Sequence, residues 1–229
     1  MILGLETATS VLGIALTSEG RILASVMMAR KHVHDDLLVP LCAEIVEHAG
    51  LTMQNLRAVA VSAGPGSYTG LRIGMGAAKG LCLALNIPLI SVPTCDAAAE
   101  SLARYLASDS IRIAVCLDAK NDEVYFSTYV TRDGEACNQH PVTILPAARA
   151  AELLEADTRV IGDGADLVAR HCRESLGVIT DPALVFRGES IALLGEKMAA
   201  LEKFSDIATC EPLYLREFIA KLPRNPLAT

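Results

Sequence analysis

Hydrophobic and polar positions divide the chain into short aliphatic runs that later alternate with longer, helix-spaced patterns. Residues 1–6, 11–17 and 21–28 are β-branched and aliphatic, parted by Thr7-Ala-Thr-Ser10 and Ser18-Glu-Gly20. Three such runs with short turns predict an antiparallel meander. A helix is expected over 35–49, with Asp35 and Asp36 at the dipole's positive end and Gly50 as a left-handed cap. Residues 58–62 read as a buried strand, the stretch up to Leu85 as a helix, 87–92 as a strand and 94–106 as a helix. A meander followed by alternating helix and strand is the ribonuclease-H-like arrangement, a mixed sheet with helices on its faces.

After a polar boundary at 108–110 the pattern restarts. Strands are expected at 111–118, 123–131 and 159–161, with turns at Gly134 and Gly162-Asp-Gly164 and helices at 146–156, 166–176 and 190–204. The prediction is an α/β duplicated fold, with one half over 1–108 and a shorter half over 109–229 that ends in a loose tail at 222–229.

Two helices carry more apolar surface than one sheet needs. On the first, Asp36, Glu44, Glu47 and His48 share a narrow arc and aliphatic residues fill most of the rest, whereas a surface helix needs an apolar stripe only somewhat wider than about 100°. The second follows Gly64-Pro-Gly66, and after Thr69 its polar side chains are only Arg72, Lys79 and Asn86, seven apart. Strand, glycine turn and helix is the layout of phosphate loops, but the spacings fail. Ala78 precedes Lys79 and Gly80 follows it, so there is no Walker loop; Thr69 stands where a dinucleotide fingerprint needs its third glycine.

Composition narrows the classes. At 229 residues with 52% hydrophobic and 21% charged positions, the chain is long and apolar enough for real cores. A formal charge of −7 without a basic run argues against independent nucleic-acid binding. Seven cysteines, odd in number and never in a C-x-x-C pair, read as reduced thiols rather than a disulfide frame or a zinc site. No apolar run approaches the roughly 20 residues that span a bilayer. These features predict a soluble cytoplasmic protein that makes no membrane contact.

Gly64-Pro-Gly-Ser-Tyr-Thr-Gly-Leu-Arg-Ile-Gly74, continuing to Ala78-Lys-Gly-Leu81, resembles the TsaB (YeaZ) family. So do Leu5-Glu-Thr-Ala-Thr9, His34-Asp-Asp-Leu-Leu38 with Pro40, Leu117-Asp-Ala-Lys120 with Glu123-Val-Tyr125, and Pro212-Leu-Tyr-Leu-Arg216. The family more often has His-Ser-Glu at the helix entry. The resemblance covers nearly the whole chain and marks Gly64, Pro65, Gly66, Ser67, Tyr68, Thr69 and Arg72 as its signature loop. It implies an actin-like (ASKHA) fold of two ribonuclease-H-like halves, each a mixed sheet flanked by helices. It further implies a non-catalytic subunit of the machinery that makes threonylcarbamoyladenosine beside the tRNA anticodon. The implied partners are a TsaD-type catalytic paralogue and a TsaE-type ATPase. ATP and a metal ion are expected on those partners, with no cofactor in this chain, and tRNA is met only through the complex.

Three absences fit a non-enzymatic role. The catalytic paralogue carries a helical H-x-x-x-H metal pair, whereas His32 and His34 are two apart and His48 stands alone, so no metal site is expected. The turns Glu6-Thr-Ala-Thr9 and Asp118-Ala-Lys-Asn121 lack the glycines that let a backbone approach phosphate. The acidic surface disfavours tRNA capture by this chain alone. Function is therefore expected on the two oversupplied helices. Gly70/Gly74 and Gly76/Gly80 admit a close neighbour. His34, Leu38, Cys42, Ile45, Gly70, Leu71, Gly74, Met75, Ala78 and Cys82 are the candidate partner-binding residues, for the catalytic paralogue or for a symmetric homodimer.

Plainer readings stand beside these. A glycine-rich helix can be a core helix packed tightly on its own sheet. Ser62 nearly matches a nucleophile elbow, but Ala60 replaces its first glycine. His34 can be a capping residue, and Asp118 and Asp122 can be turn residues or a remnant acidic site. Arg72 and Lys79 can form a solvated stripe or meet a partner. The alternative functions are an autonomous actin-like ATPase or kinase relative and, behind it, a glycoprotease-like peptidase.

Overall fold

The computed structural model describes residues 1–29, 34–172 and 177–215. The first part of the chain runs β1 (Ile2–Glu6), β2 (Leu12–Ser18), β3 (Arg21–Met28), α1 (His34–His48), β4 (Ala58–Ser62), α2 (Tyr68–Leu85), β5 (Leu89–Val92) and α3 (Thr94–Leu106). The second runs β6 (Arg112–Lys120), β7 (Glu123–Arg132), β8 (Glu135–Pro146), α4 (Ala147–Glu152), β9 (Arg159–Ile161), α5 (Ala165–Ala169), β10 (Gly177–Ile179), α6 (Pro182–Val185) and α7 (Gly188–Ala200).

The two sheets repeat one topology. Their orders are β3-β2-β1-β4-β5 and β10-β9-β6-β7-β8, in which β6 takes the place of β1. In each, three strands form an antiparallel meander and the fourth and fifth join in parallel beside the first. This is the actin-like fold of two ribonuclease-H-like halves. Central strands β1 and β4 are buried throughout, as strands covered on both faces must be, and read as continuous apolar runs.

Helices α1 and α2 cover one face of the first sheet and share a core with Leu3, Leu5, Ile14 and Val59. On the second sheet α4 and α5 cover the outer face, while α3 packs on the inner one through Cys95, Ala98, Ala99 and Leu102. The long C-terminal helix α7 returns to the first sheet, where Ile191 joins Ile2, Ala58, Ala60 and Ile90. The approach is close enough that a Cβ at Gly195 would lie 2.6 Å from the Ala60 methyl. From the second part of the chain, α7 thus crosses back and packs on α3 as well as on the first sheet. One buried carboxylate ties the crossing. Glu100 accepts bonds from Arg104 Nε at 3.1 Å, Lys197 Nζ at 2.9 Å and Ala136 N at 3.1 Å, and Lys197 also reaches Glu135 at 2.9 Å.

Some element expectations need correction. The 12-residue strand β8 is absent from the sequence reading, as are β10 and α6. β8 is an edge strand, mostly exposed, with polar residues and Pro141 in its length, so it lacks alternation. The helices expected at 146–156 and 166–176 shorten to Ala147–Glu152 and Ala165–Ala169. The expected tail at 222–229, Arg216 and His32 lie outside the described residues.

Candidate functional site

The signature loop is built on the end of β4 and fastened from three directions. Gly64 adopts φ +104°, where a side chain would strain the backbone, and the Gly64–Pro65 peptide is cis. Thr94 at the start of α3 holds Gly64 on both sides: its Oγ1 accepts from Gly64 N and its own N donates to Gly64 O, each at 3.0 Å. Ala63 O accepts from Leu213 N at 2.7 Å, which brings the C-terminal segment over the turn. Ser67 then caps α2 by accepting from Gly70 N at 3.3 Å.

The first turn of α2 meets the turn between β1 and β2. Ser67 N donates to Ala8 O at 2.6 Å, and a Cβ at Gly66 would lie 2.8 Å from the Ala8 methyl. Side chains at Gly70 and Gly74 would overlap the Thr7 carbonyl oxygen and hydroxyl, respectively. The helix N-terminus, an inviting anion site by its dipole, therefore abuts this chain's own carbonyls. Beneath it Ser62 Oγ accepts from Thr7 N at 3.1 Å. Ser62, named above only as a near-elbow serine, is buried and pins the β1–β2 turn to β4.

Glu6, at the end of β1, is fully buried. Its Oε1 accepts from Ala8 N at 2.6 Å, whereas Oε2 has no hydrogen-bond partner among the described residues. Burial pushes its carboxyl up to about 7, against smaller opposing pulls from the Ala8 amide and the Ser62 hydroxyl. The sequence marks Glu6 only as part of a glycine-free turn. The corresponding turn of the second half is held differently. Asp118 N donates to Asp163 Oδ1 at 3.0 Å, and Lys120 pairs with Asp118, holding that carboxyl below its ordinary value despite partial burial. Among the described residues no group of three or more His, Cys, Asp and Glu side chains is placed to hold a metal ion.

Nine of the ten candidate partner-binding residues pack inside the chain itself. Leu38, Cys42 and Ile45 of α1 and Leu71, Met75, Ala78 and Cys82 of α2 are buried in the core these helices share with the sheet. Gly70 and Gly74 face Thr7. None of these nine residues offers a surface in this conformation, because a helix with two apolar faces puts the better-packing one on its own sheet. His34 begins α1, but its side chain lies outside the described residues. What α1 and α2 leave outside is a second layer of apolar and small residues. Val39 is 49% exposed and Leu83 69% exposed, Ala43, Pro40 and Ala84 are exposed, and a Cβ added at Gly76 or Gly80 meets nothing within 4 Å. Near the start of α2, Tyr68 meets Tyr214 at 5.1 Å between ring centroids, and Arg72 Nη1 donates to the Tyr68 hydroxyl at 2.6 Å.

Fold and site together define a two-lobed, actin-like protein whose leading glycine turn is packed by its own chain. The family described as TsaD, tRNA N6-adenosine threonylcarbamoyltransferase, matches residues 22–211. The tRNA threonylcarbamoyladenosine biosynthesis protein TsaB of Escherichia coli K12 is 28% identical over 97% of this chain and 98% of its own length. Its Bacillus subtilis namesake is 32% identical over 58% of this chain and 56% of its own length. The solved structure of YeaZ from Pseudomonas aeruginosa superposes with a TM-score of 0.82 at 28% identity, covering 93% of this chain and 99% of that one. The chain belongs to the TsaB (YeaZ) family, within the wider group that the transferase description covers. Among the described residues no helix is long and apolar enough to cross a membrane.

Proposed function

We propose that this chain is a non-catalytic scaffold and activating subunit that pairs with a TsaD-type catalytic paralogue in the cytoplasm. The complex transfers a threonylcarbamoyl group to the tRNA adenosine next to the anticodon, with a TsaE-type ATPase joining it. The observation that carries this reading is the outer layer of α1 and α2, where Val39, Ala43, Gly76, Gly80 and Leu83 face away from the core with no other element of the chain described over them. Small residues four apart let a neighbouring backbone approach, and the flanking aliphatic side chains supply area to bury. The names of the full-length relatives support the pathway. The filled anion position at the start of α2 supports a subunit without chemistry of its own, which leaves ATP and metal to the partners. A formal charge of −7 supports contact with tRNA only through the complex. The same outer layer would close a homodimer when the catalytic partner is missing.

Reconstituted tRNA modification with and without this chain tests the role, and equal modification without it would refute the reading. Leu83→Asp tests the surface: it changes an exposed residue and leaves the fold intact. It should weaken association with the catalytic paralogue by at least about tenfold. The actin-like fold also admits an autonomous ATPase or kinase relative; stoichiometric nucleotide binding by the isolated chain would favour that reading.

A further inference from the structure

Away from the outer layer of α1 and α2, a cleft of about 500 Å³ opens at one end of the junction between the two halves. Its wall is apolar and comes from both halves. Ile22 lies on β3, the outer edge of the first sheet, and Ile179 on β10, the outer edge of the second; Leu102, Leu184, Val185 and Leu193 come from α3, α6 and α7. Exposed apolar side chains are normally scattered singly over a protein surface. Here three of the most exposed, Ile22 at 51%, Tyr105 at 84% and Leu184 at 57%, ring one opening. The volume falls within the roughly 300–1,000 Å³ of small-ligand sites, which favour domain junctions of this kind.

The charged residues on the wall are Arg104, Arg187 and Glu189, two guanidinium groups against one carboxylate on a chain whose formal charge is −7. Glu189 accepts from Arg187 Nη2 at 2.9 Å. Arg104 bonds through Nε to Glu100, whose same oxygen is shared with Lys197. Among the described residues both terminal nitrogens of Arg104 make no hydrogen bond, so the wall holds planar donors suited to a carboxylate beside an apolar body.

We propose that this cleft binds a small amphiphilic carboxylate, with its apolar chain or ring against Ile22, Leu184 and Leu193 and its carboxylate on Arg104 and Arg187. Because the wall spans both halves, the bound molecule bridges them and stabilises their packed arrangement.

Octanoate and its neutral counterpart 1-octanol, titrated separately into the full chain by calorimetry, distinguish the parts of the site. Octanoate should saturate a single site with Kd below about 1 mM and raise the thermal unfolding midpoint. The double variant Arg104→Met, Arg187→Met should weaken octanoate by at least about tenfold and change 1-octanol by less than about twofold. Leu184→Asp alters an exposed lip residue, stays folded on that account, and should weaken both probes. The proposal is overturned if wild type shows no saturation with octanoate, if the double Met variant binds octanoate as tightly as wild type, or if Leu184→Asp leaves both affinities unchanged.

Discussion

Glu6 makes the stability of this protein depend on pH in a direction opposite to that of most carboxylates. Its side chain is fully buried, one oxygen takes the Ala8 amide, and the other has no hydrogen-bond partner among the described residues. Burial penalises the charged form and pushes the carboxyl from its ordinary 4.5 up to about 7. Between those two values the folded chain holds a proton that the unfolded chain has released. Stability contributed by the protonated group is therefore complete below about pH 4.5 and is lost as pH rises to about 7. At about 1.4 kcal/mol per pH unit, the loss is on the order of 3 kcal/mol. With a urea dependence of about 1–3 kcal/mol per molar, this corresponds to a midpoint shift of about 1 M or more. Glu6→Gln removes the titration and keeps an oxygen for Ala8, while placing a buried amide where Oε2 stands, at a cost of about 1–3 kcal/mol. The decisive reading is hence the pH slope rather than absolute stability. Urea unfolding of wild type and Glu6→Gln at pH 5 and pH 8 separates Glu6 from the other titrating groups, which both proteins share. Wild type should lose about 2.5 kcal/mol more than the variant over that interval, because part of the loss is already complete at pH 5. Parallel profiles would refute the burial argument.

The helix glycines should divide by face. Gly76→Ala, where an added methyl meets nothing, should stabilise the monomer by about 0.5–1 kcal/mol, whereas Gly70→Ala drives a methyl into the Thr7 carbonyl and should destabilise by more than about 2 kcal/mol; thermal unfolding of the two variants checks the sign. Lys197→Met removes one of two cations from the buried Glu100 and the bridge to Glu135, and should cost about 1–2 kcal/mol in chemical denaturation. An unchanged midpoint would mean that the crossing of α3 and α7 is held by apolar packing alone.

Much of the architecture was legible along the chain because it is written in short-range pattern. The β1–β3 meander, the buried run of β4 and the glycine-capped α1 each follow from spacing and turn residues within a few positions. β8 was not legible, since an edge strand with little burial carries no alternation to read. Which faces of α1 and α2 the chain itself covers was not legible either, for the opposite reason. When most of a helix circumference is apolar or glycine, projection shows that two surfaces are covered and is silent on which is covered from within. Cys82 and Leu83 are neighbours in sequence, equally apolar, and one is fully buried while the other is 69% exposed.

By itself the sequence determined the duplicated order of strands and helices, the glycine turn and the family, all of which depend on local spacing and on motif. The tertiary structure decided that Thr7 lies against Gly70 and Gly74, that α7 crosses back to the first sheet, and that Gly76, Gly80 and Leu83 form the outward layer. These are contacts between segments far apart in the chain. They depend on which of several comparably apolar faces buries the most area at the closest approach, a comparison that no single helix or strand contains.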